Sequence, residues 1–113
     1  MSYKQEKSLE ERKQESALML SKFPDRIPVI VEKRKQSIAT IDKRKYMAPK
    51  SLTLGQFTFV IRKRLKIKPS EAIFIFINNK LITQSHTLDE TYITQKDEDG
   101  FIYLIYDFEN TFG

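Results

Sequence analysis

Polar and apolar positions at the start of the chain follow a helical pattern. They predict a helix over 8–22, because Ser8 and Glu11 have the spacing of a capping box and the apolar residues can share one face. In this pattern Arg12 and Glu15 lie largely outside the apolar face. Residues 2–7 are too polar for an assignment, and a short further helix there stays open.

Runs of β-branched and aromatic residues predict the strands. Residues 28–32 and 45–48 predict a hairpin with a longish connection, and Pro49 ends its second strand. Residues 73–77 form a fully apolar run of strand length. Residues 101–108 are apolar almost throughout, which is typical of a central strand that is buried on both faces.

The clearest amphipathic helix lies in the middle of the chain. Thr53 and Gln56 have capping-box spacing, and the helix is expected to end before Pro69. Its apolar residues recur at spacings of 3, 4 and 4, at Leu54, Phe57, Ile61 and Leu65. Thr87 and Glu90 again have capping spacing, which predicts a brief helical turn.

The order of these elements predicts one α+β domain. Asn78-Asn79 is a turn signal after the strand at 73–77, and 81–82 suits a short strand. A hairpin, a crossing helix and two further strands are the arrangement of a ubiquitin-like β-grasp, with a mixed four-stranded sheet covered on one face and an added N-terminal helical segment. We expect a helical extension over 1–24 and a β-grasp domain over 25–113 with a mobile C-terminal tail.

Composition limits the chemistry that the chain can carry. Its 113 residues suit one domain, it has no cysteine, and no apolar run approaches the roughly 20 residues that span a bilayer. Residues 1–12 are polar, so no signal peptide is visible, and the lack of cysteine is compatible with the cytosol. His86 is the single histidine, in a polar loop, and is interpreted as exposed and inert. Asp97, Glu98 and Asp99 are interpreted as a solvated turn, so no catalytic residue, metal ion or cofactor is predicted.

The formal charge of +5 favours acidic partners. Basic clusters at 33–35, 43–45 and 62–64 can simply be solvated surface that keeps the protein soluble. The second cluster leads directly into a strand, where Lys45 and Met47 flank the ring of Tyr46. An exposed strand edge with such side chains can bind an extended peptide by β-augmentation.

Several blocks of the sequence resemble the signature of the autophagy-related ubiquitin-like modifiers of the GABARAP type. They are 23–33 (FPDRIPVIVEK), 42–49 (DKRKYMAP), 52–57 (LTLGQF), 61–64 (IRKR), 72–79 (AIFIFINN) and 97–104 (DEDGFIYL). The blocks occur in the order and spacing of the family from about residue 15 to Gly113. The resemblance implies the β-grasp fold with an N-terminal helical extension.

The resemblance also implies a covalent modification. Gly113 is the residue that activating and conjugating enzymes would pass to phosphatidylethanolamine, either encoded last or exposed by a processing cysteine protease. Glycine suits this chemistry, because without a Cβ it offers an unhindered acyl carbon. The resemblance implies a cytoplasmic protein that resides on the autophagosome membrane when it is lipidated.

The second activity implied by the resemblance is docking of cargo receptors through aromatic-x-x-aliphatic peptides, often preceded by acidic residues. One pocket would be lined by Glu15, Met19, Pro28, Lys45, Met47 and Phe101. The other would be lined by Tyr46, Ala48, Pro49, Leu52, Phe57 and Val60. Arg64 would face the peptide from the central helix. Phe57, Val60 and Phe101 can also simply belong to the core, whereas Lys45, Tyr46 and Arg64 discriminate better because a core does not need them.

Other functions stay open at this point. The chain could be an unconjugated trafficking or cytoskeletal adaptor that uses its basic N-terminal helix and the same groove. A nucleic-acid binder would use the basic clusters, but the sequence lacks the aromatic and basic signature of an RNA-recognition motif, so no nucleic-acid partner is predicted. An enzyme is disfavoured for the reasons given above.

Overall fold

Four helices and five strands form within the residues that the structure, a computed structural model, describes, namely 1–35 and 39–108. The helices are α1 (Tyr3–Glu6), α2 (Leu9–Lys22), α3 (Leu54–Leu65) and α4 (Leu88–Gln95). The strands are β1 (Arg26–Lys33), β2 (Lys45–Pro49), β3 (Ile73–Ile77), β4 (Lys80–Leu81) and β5 (Ile102–Phe108). The predicted helices and strands are confirmed, and α4 is longer than the single turn expected there.

Each described helix begins with a capping box, in which the cap side chain accepts from a backbone N–H three residues on. The caps predicted at Ser8, Thr53 and Thr87 are confirmed. Ser2 and Gln5 form the same arrangement in front of α1. These bonds satisfy N–H groups that have no partner inside the first helical turn, which is how even a four-residue helix holds its start.

The sheet is mixed, with the strand order β2-β1-β5-β3-β4. The central pair β1 and β5 is parallel, and the other neighbouring pairs are antiparallel. The predicted four strands become five, because β4 pairs with β3 across the turn. Asn78 and Asn79 both have positive φ, 52° and 63°. Positive φ at both central residues is the geometry of the tight turns that join hairpin strands, so this weakly patterned segment joins the sheet.

Helices cover both faces of the sheet, which corrects the prediction of a single covered face. On one face, alternate residues of β5 pack with α3 in the main core; they are Ile102, Leu104 and Tyr106. On the other face, Tyr3 of α1 and Met19 of α2 pack with Ile30 and Phe101. The prediction that β5 is a central strand is confirmed, but its second face is less buried than expected, since Tyr103 and Ile105 are half-buried.

None of the described helices is long and apolar enough to cross a membrane. The predicted mobile tail, 109–113, lies outside the residues that the structure describes. The same holds for 36–38 in the connection between β1 and β2.

Candidate functional site

Strand β2 lies at the end of the sheet order and pairs only with β1 among the described strands. The backbone N–H of Val31 donates to the carbonyl of Arg44 at 2.8 Å. Hydrogen-bonded and non-bonded pairs alternate along an antiparallel ladder. The register therefore turns the backbone groups of Tyr46 towards β1 and those of Lys45 and Met47 towards the open side. This open side can accept main-chain hydrogen bonds from an added strand.

The residues of the first predicted pocket lie on the face that carries α1 and α2. Met47 is the cross-strand partner of Pro28, so their side chains share that face. Lys45 lies two residues before Met47 in β2, so its side chain points to the same face. Met19 reaches the same face from α2 and packs in a small cluster with Phe101, which is fully buried. The structure thus brings together residues from α2, β1, β2 and the start of β5.

Charge at this pocket is set by a carboxylate from α2. Oε1 of Glu15 lies 2.8 Å from Nζ of Lys45. Partial burial acts to raise the pKa of Glu15, but hydrogen bonds from Lys45 and from the hydroxyl of Tyr3 hold that pKa below its ordinary value. Glu15 therefore stays ionised and keeps Lys45 close to the strand edge.

Tyr3 is a residue of this site that sequence reasoning missed. Its side chain is 1% exposed, and its ring centroid lies 5.5 Å from that of Phe101 in an edge-on contact. Its backbone N–H donates to Glu32 at 2.7 Å, and Nζ of Lys45 lies 5.6 Å from its ring centroid. Burial, followed by the contact with Glu15, raises the pKa of Tyr3 well above its usual range. The capping spacing of Ser2 and Gln5 was the available signal for this helix.

Four residues of the second predicted pocket lie in or against the main core on the opposite face, towards α3, namely Tyr46, Ala48, Leu52 and Phe57. Tyr46 and Ala48 point there from β2 and are buried at 7% and 4% exposure. The rings of Tyr46 and Phe57 make an edge-on contact at 5.3 Å. Leu52 is half-buried against the core, whereas Val60 and Pro49 are exposed. Tyr46 and Phe57 are therefore core residues at the same time, so Tyr46 is not the core-independent residue that the sequence suggested.

Arg64 projects from α3 beside this second pocket and is bound to an acidic residue of the chain. Its Nε lies 2.9 Å from Oδ1 of Asp42, and its second nitrogen lies 3.2 Å from Oδ2. Asp42 precedes β2 in the chain. Burial raises the pKa of Tyr46 to about 12, and the charge of Arg64 opposes that rise while Asp42 adds to it. The pair therefore stands close to the aromatic floor of the pocket.

A buried ion pair fixes α2, which supplies Glu15 and Met19. Nη1 of Arg12 lies 2.7 Å from Oδ2 of Asp99, and the Asp99 side chain is 0% exposed. The hydroxyl of Ser16 donates to the backbone carbonyl of Asp99 at 2.5 Å. Two expectations are thus wrong: the acidic turn is not solvated at Asp99, and Arg12 lies on the buried side of α2. Both residues are polar, so the periodicity of apolar residues could not reveal that they are buried.

His86, the acidic side chains and Gly113 are the other residues considered for chemistry. His86 is exposed, as predicted. Among residues 1–35 and 39–108, His, Asp and Glu side chains form no group of three or more that could hold a metal ion. Gly113, the predicted conjugated residue, lies outside the described residues.

Comparisons with known proteins identify the family of the chain. Residues 11–113 match the sequence model of the family described as "Autophagy protein Atg8 ubiquitin like". The chain belongs to the Atg8 family. Autophagy-related protein 8d of Arabidopsis thaliana is 50% identical over 113 residues, which cover 99% of this chain and 94% of that protein. Autophagy-related protein 8 of Mycosarcoma maydis is 51% identical over 112 residues, with coverage of 98% and 95%.

A solved structure of an Atg8 protein has the same fold. The crystal structure of Trypanosoma brucei ATG8 superimposes with a TM-score of 0.91 at 37% identity, covering 100% of this chain and 98% of that chain. The resemblance stated from the sequence is confirmed, and with it the ubiquitin-like α+β fold. As an Atg8 protein, the chain is a ubiquitin-like autophagy protein and not an enzyme.

The Atg8 family model begins at residue 11, after α1. Tyr3 and Lys4 therefore lie outside the matched part, although Tyr3 contacts Glu15, Lys45 and Phe101 inside it. The match does extend to Gly113.

Proposed function

We propose that this protein is conjugated through Gly113 to phosphatidylethanolamine on autophagic membranes, where it recruits cargo receptors by docking aromatic-x-x-aliphatic peptides along β2. The observation that carries the docking half is the open edge of β2 with one set of pocket residues on each face. Family membership and the match up to Gly113 support the conjugation half.

The spacing of the peptide motif suits this edge. Side chains alternate between the two faces of a strand, so residues three apart point to opposite faces and lie about 10 Å apart along the chain. A peptide strand added beside β2 would send its aromatic residue to one pocket and its aliphatic residue to the other. Lys45 and Met47 would supply the main-chain hydrogen bonds. The peptide would replace the bond of 3.1 Å that the Arg26 guanidinium donates to the Met47 carbonyl.

Conjugation accounts for membrane residence without an inserted helix. Burial of an acyl chain contributes about 0.8 kcal/mol per methylene group, so the two chains of one phospholipid anchor firmly. Conjugation of Gly113 requires an activating enzyme and a conjugating enzyme. It also requires a processing cysteine protease where Gly113 must first be exposed. The protein is then cytoplasmic before conjugation and resides on the autophagosome membrane after it.

Docking is tested by titrating isotope-labelled protein with an acidic aromatic-x-x-aliphatic peptide and following amide shifts. Shifts should concentrate on Lys45, Met47 and Arg64. Met47→Asp should weaken binding at least tenfold, because it places a charge at the half-buried edge. Leu81→Asp on the exposed β4 is the matched control and should bind normally. Equal affinity of the two variants for the peptide would refute docking at β2.

Conjugation is tested separately by membrane fractionation of cells that express Gly113→Ala. The variant should remain in the soluble fraction, while Met47→Asp should still be conjugated. Membrane association of Gly113→Ala at the level of the parent would instead support an unconjugated adaptor that uses the same groove.

A further inference from the structure

Two of the cations beside the docking edge, Lys45 and Arg64, are each bound to a carboxylate of the chain itself. Nζ of Lys45 lies 2.8 Å from Oε1 of Glu15. The Arg64 guanidinium binds both oxygens of Asp42, at 2.9 and 3.2 Å. One pair stands at each predicted pocket, so at each pocket a cation that could bind an acidic peptide is already paired with an internal acid.

Both pairs are open to exchange with a ligand. Lys45 and Glu15 are 37% and 25% exposed, and Arg64 and Asp42 are 39% and 64% exposed. Exposed ion pairs contribute little net stability, so exchanging one carboxylate for another on the same cation changes the free energy only slightly. Asp42 is the more exposed acid and can swing into solvent, whereas Glu15 is held by the Tyr3 hydroxyl.

We propose that Asp42, and to a lesser extent Glu15, are specificity-determining residues that compete internally with the acidic residues of a docking peptide. This inference rests on the proposed function of β2. A neutral aromatic-x-x-aliphatic peptide leaves both internal pairs intact. An acidic peptide must exchange its own carboxylates for Asp42 and Glu15, so the internal acids reduce the advantage of each added peptide charge.

Two peptides with the same aromatic-x-x-aliphatic core separate the effects, one flanked by Asp and Glu and the other by Asn and Gln. Their dissociation constants are measured by calorimetry on the parent and on Asp42→Asn. Removing the competitor should raise the affinity for the acidic peptide about two- to fivefold, the range of an exposed ion pair. Affinity for the neutral peptide should not change. The gain should shrink as salt screens the exposed charges.

Two further variants identify the mechanism. Glu10→Gln changes the net charge by the same amount at an exposed position of α2, on the other face of the sheet from Arg64. It should leave both affinities within about 1.5-fold, because an exposed charge that is paired with neither Lys45 nor Arg64 is screened. In an Arg64→Ala background, Asp42→Asn should have no effect on the acidic peptide. Amide spectra of each variant establish that it is folded.

The outcomes are distinct. An Asp42→Asn variant that binds both peptides as the parent does, or strengthens both equally, overturns the competitor role while docking stands. A gain that persists without Arg64 overturns it as well. If the parent binds neither peptide, the proposed docking function fails and the competitor role fails with it.

Discussion

Replacing Asp99 by alanine should remove the main polar anchor of α2. The Asp99 carboxylate accepts hydrogen bonds from the Arg12 guanidinium at 2.7 Å, from the backbone N–H of Phe101 at 2.9 Å and from the hydroxyl of Tyr103. The structure leaves no buried side-chain polar atom of the described residues without a partner. The substitution would leave Arg12, whose side chain is 10% exposed, without its buried carboxylate.

The expected loss in the free energy of unfolding follows from this geometry. Removing one partner of a buried ion pair typically destabilises a protein by about 3–5 kcal/mol. Asp97 lies 4.0 Å from the Arg12 guanidinium and can take over part of the interaction. We therefore expect about 3 kcal/mol for Asp99→Ala, the lower end of that range.

Urea unfolding followed by circular dichroism measures this loss. Asp25→Ala, at an exposed position between α2 and β1, is the matched control and should change the free energy of unfolding by less than about 0.5 kcal/mol. The double variant Arg12→Met with Asp99→Ala should be more stable than Asp99→Ala alone, because no unpaired buried cation remains. An Asp99→Ala variant as stable as Asp25→Ala would refute the role of this pair in holding α2.

Three further outcomes test other parts of the structure. Gly100→Ala should destabilise the protein by about 1–3 kcal/mol in thermal unfolding, since Gly100 has φ +91° and an added Cβ would lie 2.4 Å from Oγ of Ser16. Phe57→Ala should lower the free energy of unfolding by about 3–5 kcal/mol in urea, because this ring is 2% exposed in the core. The Lys4–Asp97 pair should stabilise the protein in a pH-dependent way. Partial burial acts to raise the pKa of Asp97, but hydrogen bonds from Lys4 and a backbone N–H hold that pKa below its ordinary value of 3.8. The pair contributes fully above that ordinary pKa, and its contribution is lost as the pH falls through the lower pKa of the folded protein. The difference in the free energy of unfolding between the parent and Asp97→Asn, measured in urea, should therefore shrink as the pH falls from about 6 to about 3. A difference that does not depend on pH would refute the assignment.

Local patterns were sufficient where an element is specified by its own residues. Capping boxes at Ser8, Thr53 and Thr87 predicted three helix starts correctly, and the spacing of its apolar residues predicted the buried face of α3. Apolar runs of strand length predicted β3 and β5, since a strand with buried side chains needs apolar residues at alternate or consecutive positions.

The misjudged features are those in which polar residues are buried by a distant partner. The apolar pattern predicts Arg12 on the solvent side of α2 and Asp99 in a solvated turn, yet each is buried because the other neutralises it. Tyr3 lies in a polar segment that predicts no burial, although it is almost fully buried against Phe101 from the far end of the chain. Neither burial can be inferred from the residues on either side.

By itself, the sequence determined the elements, the family resemblance and the residue types that suit a docking edge, because these depend on periodicity, capping and contiguous motifs. Only the tertiary structure decided that β2 lies at an edge of the sheet, that the backbone groups of Lys45 and Met47 point away from β1, and that Glu15 and Asp42 pair with Lys45 and Arg64. Those properties arise from strand order, register and contacts between distant segments. Hydrophobic pattern carries no information on how two charged side chains pair across a fold.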